Sequence, residues 1–150
     1  MYEVYSDPHA IRDFALKADL IIGAVLIPGG RTPILIRREI PSHMKPGSVI
    51  VDVGIDQGGC VETSRAATHQ NPTYVVDGVV HYCVTNMPGA VGRTSTQALC
   101  HAPQSYVIRL ANEGADRLVR DDPGFAASLN LRDGKITNAA VAEAHGIARA

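Results

Sequence analysis

One acidic side chain follows directly after a segment with the composition of a buried strand. Residues 48–53 are short, mostly apolar and rich in β-branched side chains, and Asp56 comes three residues later. In open parallel α/β sheets, ligands bind at the carboxyl ends of strands, because the loops there form a crevice. A carboxylate in that place could act as a general acid or base. The alternative is a solvated loop acid beside two glycines, Gly58 and Gly59, that only turn the chain, and the spacing alone does not decide.

The other reactive side chains give weaker signals. His81 falls inside a predicted strand and is expected to be a hydrogen-bonded structural residue rather than a catalyst. It shares a strand face with Cys83, but no cleft is indicated that would suit a cysteine hydrolase. Arg65 and Arg93 could each hold a phosphate or carboxylate through the guanidinium fork, with a surface salt bridge as the alternative.

The three cysteines are widely spaced and odd in number, which indicates neither a disulfide framework nor a metal or redox motif. We expect them to be reduced and at least partly buried. The cysteines are Cys60, Cys83 and Cys100. No cluster of metal ligands is visible in the sequence, so no metal site is predicted.

Length and composition indicate an ordinary globular domain. The chain has 150 residues, 45% of them hydrophobic, and a formal net charge of -1. Nothing resembles a basic nucleic-acid face or a polybasic membrane patch, so neither partner is expected. The most apolar run, residues 20–28, is too short to cross a bilayer, and the sequence does not open like a signal peptide. We therefore expect a cytoplasmic protein.

Strands and helices are predicted to alternate through the first part of the chain. This order favours parallel pairing with right-handed crossovers, and it places three loops at one edge of an α/β sheet. Asp7 and Pro8 mark the start of the first helix. The predicted elements are a helix over 8–18, strands over 20–26 and 48–53, a short helix over 37–44, and strands over 74–76 and 79–84 joined by the turn Asp77-Gly78.

The sequence becomes helical from Thr94 onward. Thr94, Ser95 or Thr96 could cap a helix that Pro103 kinks or splits and Gly114 ends. Short helices over 115–120 and 138–145 follow. This part has too few large apolar residues for a core of its own, so it should pack against the sheet or another chain. We predict two domains, over residues 1–93 and 94–150.

Three blocks of sequence together resemble bacterial alanine dehydrogenase: residues 18–29, 44–60 and 82–91. The resemblance covers nearly the whole chain and is weaker after Leu99. It implies that residues 1–93 form the second half of an NAD-binding, Rossmann-like domain with an incomplete parallel sheet, and that 94–150 form a C-terminal helical segment. The transhydrogenase alpha subunit is similar, but it typically has Glu rather than Asp before Gln-Gly-Gly and lacks the Cys that follows. Asp56 and Cys60 favour the alanine dehydrogenase family.

The resemblance implies NAD-dependent oxidative deamination of L-alanine to pyruvate and ammonium, in either direction. We also expect a homo-oligomer. It assigns proton handling beside the nicotinamide to Asp56. The cofactor-binding residues that it implies are Ser6 near the adenosine, Val25 and Leu26 at the riboses, Asn86 and Met87 at the nicotinamide, and also Val53 and Asp56.

The departures from the family pattern are equally specific. No G-x-G-x-x-G occurs, so the turn and helix start that would bind the pyrophosphate are not in the sequence. The family's substrate domain is missing as well, and Met1 stands where the family is in mid-domain, which suggests a truncated product. Gly54 replaces a usual alanine and Gly92 a usual proline.

Two alternatives stay open beside an enzyme fragment that needs the missing part. One is a non-catalytic remnant that oligomerises or binds nucleotide weakly, and the other is a transhydrogenase-like fragment. Because an incomplete sheet exposes a strand edge, we also predict self-association.

Overall fold

The computed structural model describes residues 2–148, which form two compact units. The first unit comprises the chain up to Ile27 together with Arg31–Ala90, and the second comprises Pro28–Gly30 and the chain from Val91 onward. The domain ranges predicted from the sequence also take in Met1, Arg149 and Ala150, which lie outside the described residues.

The first unit is built on a four-stranded sheet with the order β1-β2-β4-β3. Strands β1, β2 and β4 run parallel, with Leu20 opposite Val49 and Val49 opposite Val80, whereas β3 pairs antiparallel with β4. The α/β class and the parallel pairing are thus confirmed. The carboxyl ends of the three parallel strands lie at one edge of the sheet. The strands are β1 (Leu20–Gly23), β2 (Val49–Asp52), β3 (Thr73–Val76) and β4 (Val79–Tyr82).

The hairpin between β3 and β4 turns at the predicted pair. Asp77 has a φ of 51° and Gly78 a φ of 82°. A two-residue turn with two positive φ angles matches the twist of the strands it joins, and Asp-Gly is among the pairs that adopt it most easily. This turn explains why β3 alone runs antiparallel.

Helix α1 (Pro8–Ala15) begins where the sequence predicts. The Asp7 side chain accepts hydrogen bonds from the backbone N–H groups of His9 and Ala10, at 2.8 and 3.0 Å, and Pro8 takes the first helical position. The helix ends three residues earlier than predicted. Ala15, its last residue, is buried against the sheet's apolar core.

Other predicted elements are also shorter than expected: β2 spans 49–52 rather than 48–53, and β4 ends at Tyr82 rather than at residue 84. Strand β1 ends at Gly23 rather than at residue 26, because its neighbour in the sheet, β2, ends at Asp52, the residue opposite Gly23. The helix predicted over 37–44 is a 3₁₀ helix of three residues, Pro41–His43. Pro41 takes the first helical position, where its missing N–H is not needed, so it starts this helix instead of interrupting it.

The core of the first unit is a single apolar cluster around the sheet. Ile50 and Val79 are fully buried and Val61 nearly so. Residues from α1, from the segment before β2 and from the loop after β2 complete it. The remaining members of the cluster are Ala15, Ile36, Ile40, Met44 and Cys60.

The second unit consists of short helices and one small hairpin. The break at Pro103 and the helix end at Gly114 are confirmed. The first helix starts at Gly92 rather than at Thr94–Thr96, because the preceding 3₁₀ helix, Met87–Val91, leads directly into it without a side-chain cap. The elements are α2 (Gly92–His101), α3 (Gln104–Glu113), α4 (Ala115–Asp121), α5 (Pro123–Ser128), β5 (Leu131–Arg132), β6 (Lys135–Ile136) and α6 (Ala139–His145).

This second unit has very little core. Among its described residues, Leu118 and Ala142 are the only buried apolar side chains. Large apolar residues of α2 and α3, including Leu99, Tyr106 and Val107, are exposed. No helix within residues 2–148 is long and apolar enough to span a membrane.

Candidate functional site

Three loops follow the parallel strands, and each carries residues predicted to belong to the site. Because the strands are parallel, these loops start from the same edge of the sheet. The backbone of the second loop packs against the first: a Cβ at Gly54 would lie 3.2 Å from the carbonyl oxygen of Val25. The predicted residues are Val25 and Leu26 after β1, Val53 and Asp56 in the 3₁₀ helix Val53–Gln57 after β2, and Asn86 and Met87 after β4.

The exposure of these side chains suits a surface that binds a partly apolar ligand. Leu26 and Val53 are apolar, yet 68% and 48% exposed. Asp56 and Asn86 are exposed polar residues, while Val25 and Met87 are half-buried. Apolar side chains on the same sheet edge as a carboxylate and a carboxamide offer the mixture found at ligand sites, where a few polar groups fix the orientation.

Ser6 lies in a different setting. It precedes the N-cap of α1 and lines an apolar cavity of about 230 Å³. None of the other predicted site residues lines this cavity, so the structure does not bring Ser6 together with them there. The remaining lining residues are Val4, Tyr5, Ala10, Ile11 and Phe14.

The loop that carries Asp56 is held by a buried carboxylate that the sequence analysis did not single out. Asp52, the last residue of β2, is fully buried. Its Oδ2 accepts hydrogen bonds from the backbone N–H groups of Cys60, at 3.0 Å, and Val61, at 3.3 Å. These two hydrogen bonds join the end of β2 to the far end of the loop that contains Asp56. The available signal was the position itself, because a charged residue inside an apolar strand must find partners.

The Cys60 thiol belongs to the same network. It donates to Asp52 Oδ1 at 3.7 Å. Burial raises the pKa of this thiol from its ordinary value of 9.0 to about 11, and the negative charge of Asp52 and the hydrogen bond to it act in the same direction. Backbone hydrogen bonds at Cys60 and Val25 oppose the rise. Cys60 is therefore a protonated structural group and not a nucleophile.

A second segment braces the same loop from outside the sheet. The backbone N–H of Thr32 donates to Gln57 O at 3.0 Å, that of Leu35 to Cys60 O at 2.8 Å, and that of Glu62 to Ile36 O at 2.9 Å. Asp56 thus projects from a loop whose two ends are fixed by hydrogen bonds.

The turn after β4 has an anchor of its own. The carbonyl oxygen of Asn86 accepts the backbone N–H of Gly89 at 2.9 Å, and the Nε2 atom of His69 lies 2.6 Å from the same oxygen. His69 lies seventeen residues earlier in an irregular segment. No feature of the sequence pointed to it, because neither strand pattern nor motif surrounds it.

His81 is the structural residue that the sequence predicts. It is fully buried, with Nδ1 3.0 Å from Val79 O and Nε2 2.8 Å from Thr63 Oγ1. Because a carbonyl only accepts, Nδ1 carries the proton and Nε2 accepts from the threonine hydroxyl. Burial lowers the pKa of His81, while the hydrogen bond to Val79 and the charges of Asp52 and Asp77 oppose that change.

The other reactive side chains noted in the sequence have different surroundings. Arg65 places its guanidinium 4.2 Å from the ring centroid of Tyr74, which is a cation–π contact. Cys83 is free and buried, as is Cys60, but Cys100 is exposed, so the expected burial is wrong for that residue. Cys100 lies in α2, in the unit that has almost no core. Among the residues that the structure describes, no three metal-ligating side chains come together.

Comparison with known proteins gives consistent matches. A family model described as "Alanine dehydrogenase/PNT, C-terminal domain" matches residues 2–139. The alanine dehydrogenase of Halomonas elongata is 59% identical over 147 residues, which cover 98% of this chain and 40% of that protein. The chain therefore spans about two fifths of the length of this curated relative.

Solved structures show the same similarity. An L-alanine dehydrogenase superimposes with a TM-score of 0.74 at 47% identity, covering 95% of this chain and 39% of that one. The transhydrogenase from Sinorhizobium meliloti superimposes with a TM-score of 0.55 at 30% identity, over 61% of this chain and 26% of that one.

Proposed function

The chain belongs to the alanine dehydrogenase/PNT C-terminal domain family, and from this premise we propose that it supplies the nicotinamide side of an NAD-dependent alanine dehydrogenase. The substrate pair would be L-alanine and pyruvate. The observation that carries the proposal is the open carboxyl edge of β1, β2 and β4, where Asp56 and Asn86 stand exposed beside apolar side chains.

The residues at this edge fit the nicotinamide half of NAD. Leu26 and Val53 offer exposed apolar surface to a ribose or a flat ring, and the Asn86 carboxamide can pair with the amide of a nicotinamide. Met87 would pack against the edge of the nicotinamide ring. The apolar cavity beside Ser6 suits an adenosine group. When bound, NAD supplies hydride chemistry.

The chain's own catalytic contribution would be proton transfer by Asp56. The Asp56 side chain is exposed at the carboxyl edge of the sheet, and hydrogen bonds at both ends of its loop hold its position. Oxidation of an amine to a ketone requires a base that removes protons from nitrogen and water, and a placed carboxylate can do this. The groups that would grip the substrate's carboxylate are not identified in this chain.

The transhydrogenase-like alternative has less support, because that structure matches a smaller part of the chain at a lower TM-score. Failure to bind NAD even at millimolar concentration would favour the non-catalytic alternative. We propose weak NAD affinity for the chain alone, since its sequence has no glycine-rich pyrophosphate turn and each lost subsite lowers affinity.

Titration of NAD into the ¹⁵N-labelled chain tests the binding half of the proposal. We expect saturable shifts of the amides of Asp56, Asn86 and Met87, with a dissociation constant in the millimolar range. The matched control is adenosine alone, which should shift residues near Ser6 and leave those three in place. Absence of any shift would support the non-catalytic remnant.

A chimera tests the catalytic half. Residues 2–148 would replace the matching segment of the Halomonas elongata enzyme, and alanine-dependent formation of NADH would be measured. We expect activity that Asp56→Asn lowers at least a hundredfold, as loss of a general base does. Asp116→Asn, an exposed acid of α4, is the matched control and should leave the rate unchanged. An active Asp56→Asn chimera would contradict the assignment.

We also propose that the chain associates with itself. Strand β1 ends the sheet on one side, and Leu20 and Ile22 on it are 54% and 61% exposed. An unpaired strand edge with apolar side chains favours pairing with another chain. Light scattering should give a mass above one chain that rises with concentration. A constant mass of one chain would contradict this.

A further inference from the structure

We propose that His69 is a positioning residue for the turn Asn86 to Gly89, and that it sets the orientation in which Asn86 meets the nicotinamide. The inference rests on the proposed function, because it concerns the same site. His69 itself is not placed in contact with any ligand. It acts through the main chain of Asn86.

The contact is a hydrogen bond with one possible direction. Nε2 of His69 lies 2.6 Å from the carbonyl oxygen of Asn86, and a carbonyl oxygen can only accept. The proton is therefore on Nε2, in the neutral as in the charged ring. His81 has the opposite tautomer, with its proton on Nδ1 facing Val79 O. The two histidines thus differ in a way that spectroscopy can read.

The same oxygen closes the turn. It also accepts the backbone N–H of Gly89 at 2.9 Å, so one carbonyl joins the turn to itself and to the segment that carries His69. Without His69 this carbonyl oxygen keeps its bond to the Gly89 N–H but loses the bond to the imidazole. The segment before β3 is itself attached to the sheet, because the N–H of Ala67 donates to Cys83 O at 2.9 Å. His69 therefore ties the turn to a fixed part of the unit.

The imidazole and the Asn86 side chain pack over the same glycine. A Cβ at Gly89 would lie 3.0 Å from Asn86 Nδ2 and 3.1 Å from His69 Nε2. Both side chains occupy the space that a larger residue would need. The ring thus limits where the carboxamide of Asn86 can go, as well as holding its carbonyl group.

Three variants separate this role from a general structural one. His69→Phe keeps a ring and removes the donor, whereas His69→Gln restores an N–H that can reach the Asn86 carbonyl. His101→Phe changes an exposed histidine of α2 and serves as the matched control. Because His69 is exposed, all three variants should fold, and circular dichroism would verify it.

Two readouts are measured on the whole chain. Amide exchange of Gly89 should become roughly fivefold faster in His69→Phe and return toward the native rate in His69→Gln, as expected for one hydrogen bond. The NAD titration should show affinity lowered by a similar factor in His69→Phe and recovered in His69→Gln. In the native chain, ¹⁵N spectra of the rings should show the Nε2–H tautomer for His69 and the Nδ1–H tautomer for His81.

The outcomes are distinguishable. Unchanged Gly89 exchange in His69→Phe, or an Nδ1–H tautomer at His69, would overturn the anchor. Faster exchange with unchanged NAD affinity would overturn the positioning role, because the turn would then move without consequence for the ligand. If the native chain shows no NAD-dependent shifts at all, the proposed function fails first and the positioning role fails with it, while the exchange data still decide whether the anchor exists.

Discussion

The Asp52 carboxyl group has no exposure to solvent, and its partners are two backbone N–H groups and the Cys60 thiol rather than a cation. These hydrogen bonds couple β2 to the loop after it, because the two N–H donors belong to Cys60 and Val61 at the loop's far end. The catalytic candidate, Asp56, lies between the two fixed points. A buried carboxylate thus shapes the backbone around an exposed one.

Replacing Asp52 with Asn should lower the free energy of unfolding by about 2 kcal/mol, because one oxygen remains for the N–H groups of Cys60 and Val61 while an N–H₂ group replaces the oxygen that accepts the buried Cys60 thiol. Urea titration would measure the change. Asp19→Asn is the matched control, since Asp19 pairs with Lys45 at 2.8 Å on the open surface and should cost under about 1 kcal/mol. Equal losses for the two variants would refute the role given to Asp52.

The raised pKa of Cys60 gives a second prediction at this scale. The folded pKa of about 11 exceeds the ordinary value of 9.0, so the thiol's contribution to stability is complete below pH 9 and is lost as the pH rises toward 11. The difference in unfolding free energy between the native chain and Cys60→Ala should therefore be constant from pH 7 to pH 9 and then shrink. A difference that stays constant through pH 10.5 would contradict the burial of this thiol.

For single residues, the sequence was informative where a reactive side chain lies in or next to a recognisable strand. Asp56 could be singled out because it follows an apolar strand, and His81 could be assigned a structural role because it lies within one. His69 could not be found this way. Its partner is a main-chain carbonyl seventeen residues later, and such a contact exists only once β4 and the segment before β3 lie side by side.

At the scale of elements, the loop after β2 depends on two adjacent glycines with different surroundings. Gly58 and Gly59 have φ angles of 104° and 78°, which L side chains adopt only with strain. A Cβ at Gly58 would meet no atom within 4 Å, whereas one at Gly59 would lie 2.7 Å from Asp52 Oδ2. Gly59 is thus required twice, for its conformation and for its closeness to the buried carboxylate.

The pair provides a matched test. Gly58→Ala should cost about 1 kcal/mol of stability, for backbone strain alone. Gly59→Ala should cost about 2 kcal/mol more, because Asp52 must also move from its hydrogen bonds. Thermal unfolding of both variants would measure this. Similar costs for the two would mean that the carboxylate does not restrain the loop.

Element boundaries were less predictable than element types. The hairpin turn at Asp77-Gly78 and the start of α1 at Asp7 were correct, because each depends on local backbone geometry. The end of β1 at Gly23 depends on where its neighbour β2 ends, at Asp52, far along the chain. Tertiary contacts of that kind override the local pattern.

At the scale of the whole molecule, the two units differ in how their stability is built. The first has a continuous apolar cluster that includes fully buried side chains of β2 and β4. The described part of the second unit has two buried apolar residues, Leu118 and Ala142, and several exposed large ones. The composition of the sequence predicted too few large apolar residues for a core in this part of the chain. Local opening should consequently be frequent in α2 to α6 and rare in the sheet.

Leu118 gives the sharpest test of this difference. It is 1% exposed, so Leu118→Ala should remove about 2–5 kcal/mol from the packing of its own unit. We expect amide exchange in α3, α4 and α5 to accelerate strongly, while the amides of β2 and β4 keep their native rates. Leu99→Ala, at a residue 71% exposed, is the control and should change neither set. Equal acceleration in the sheet would mean that the chain opens as one cooperative body, and that Leu118 stabilises the sheet carrying Asp56 as much as its own helices.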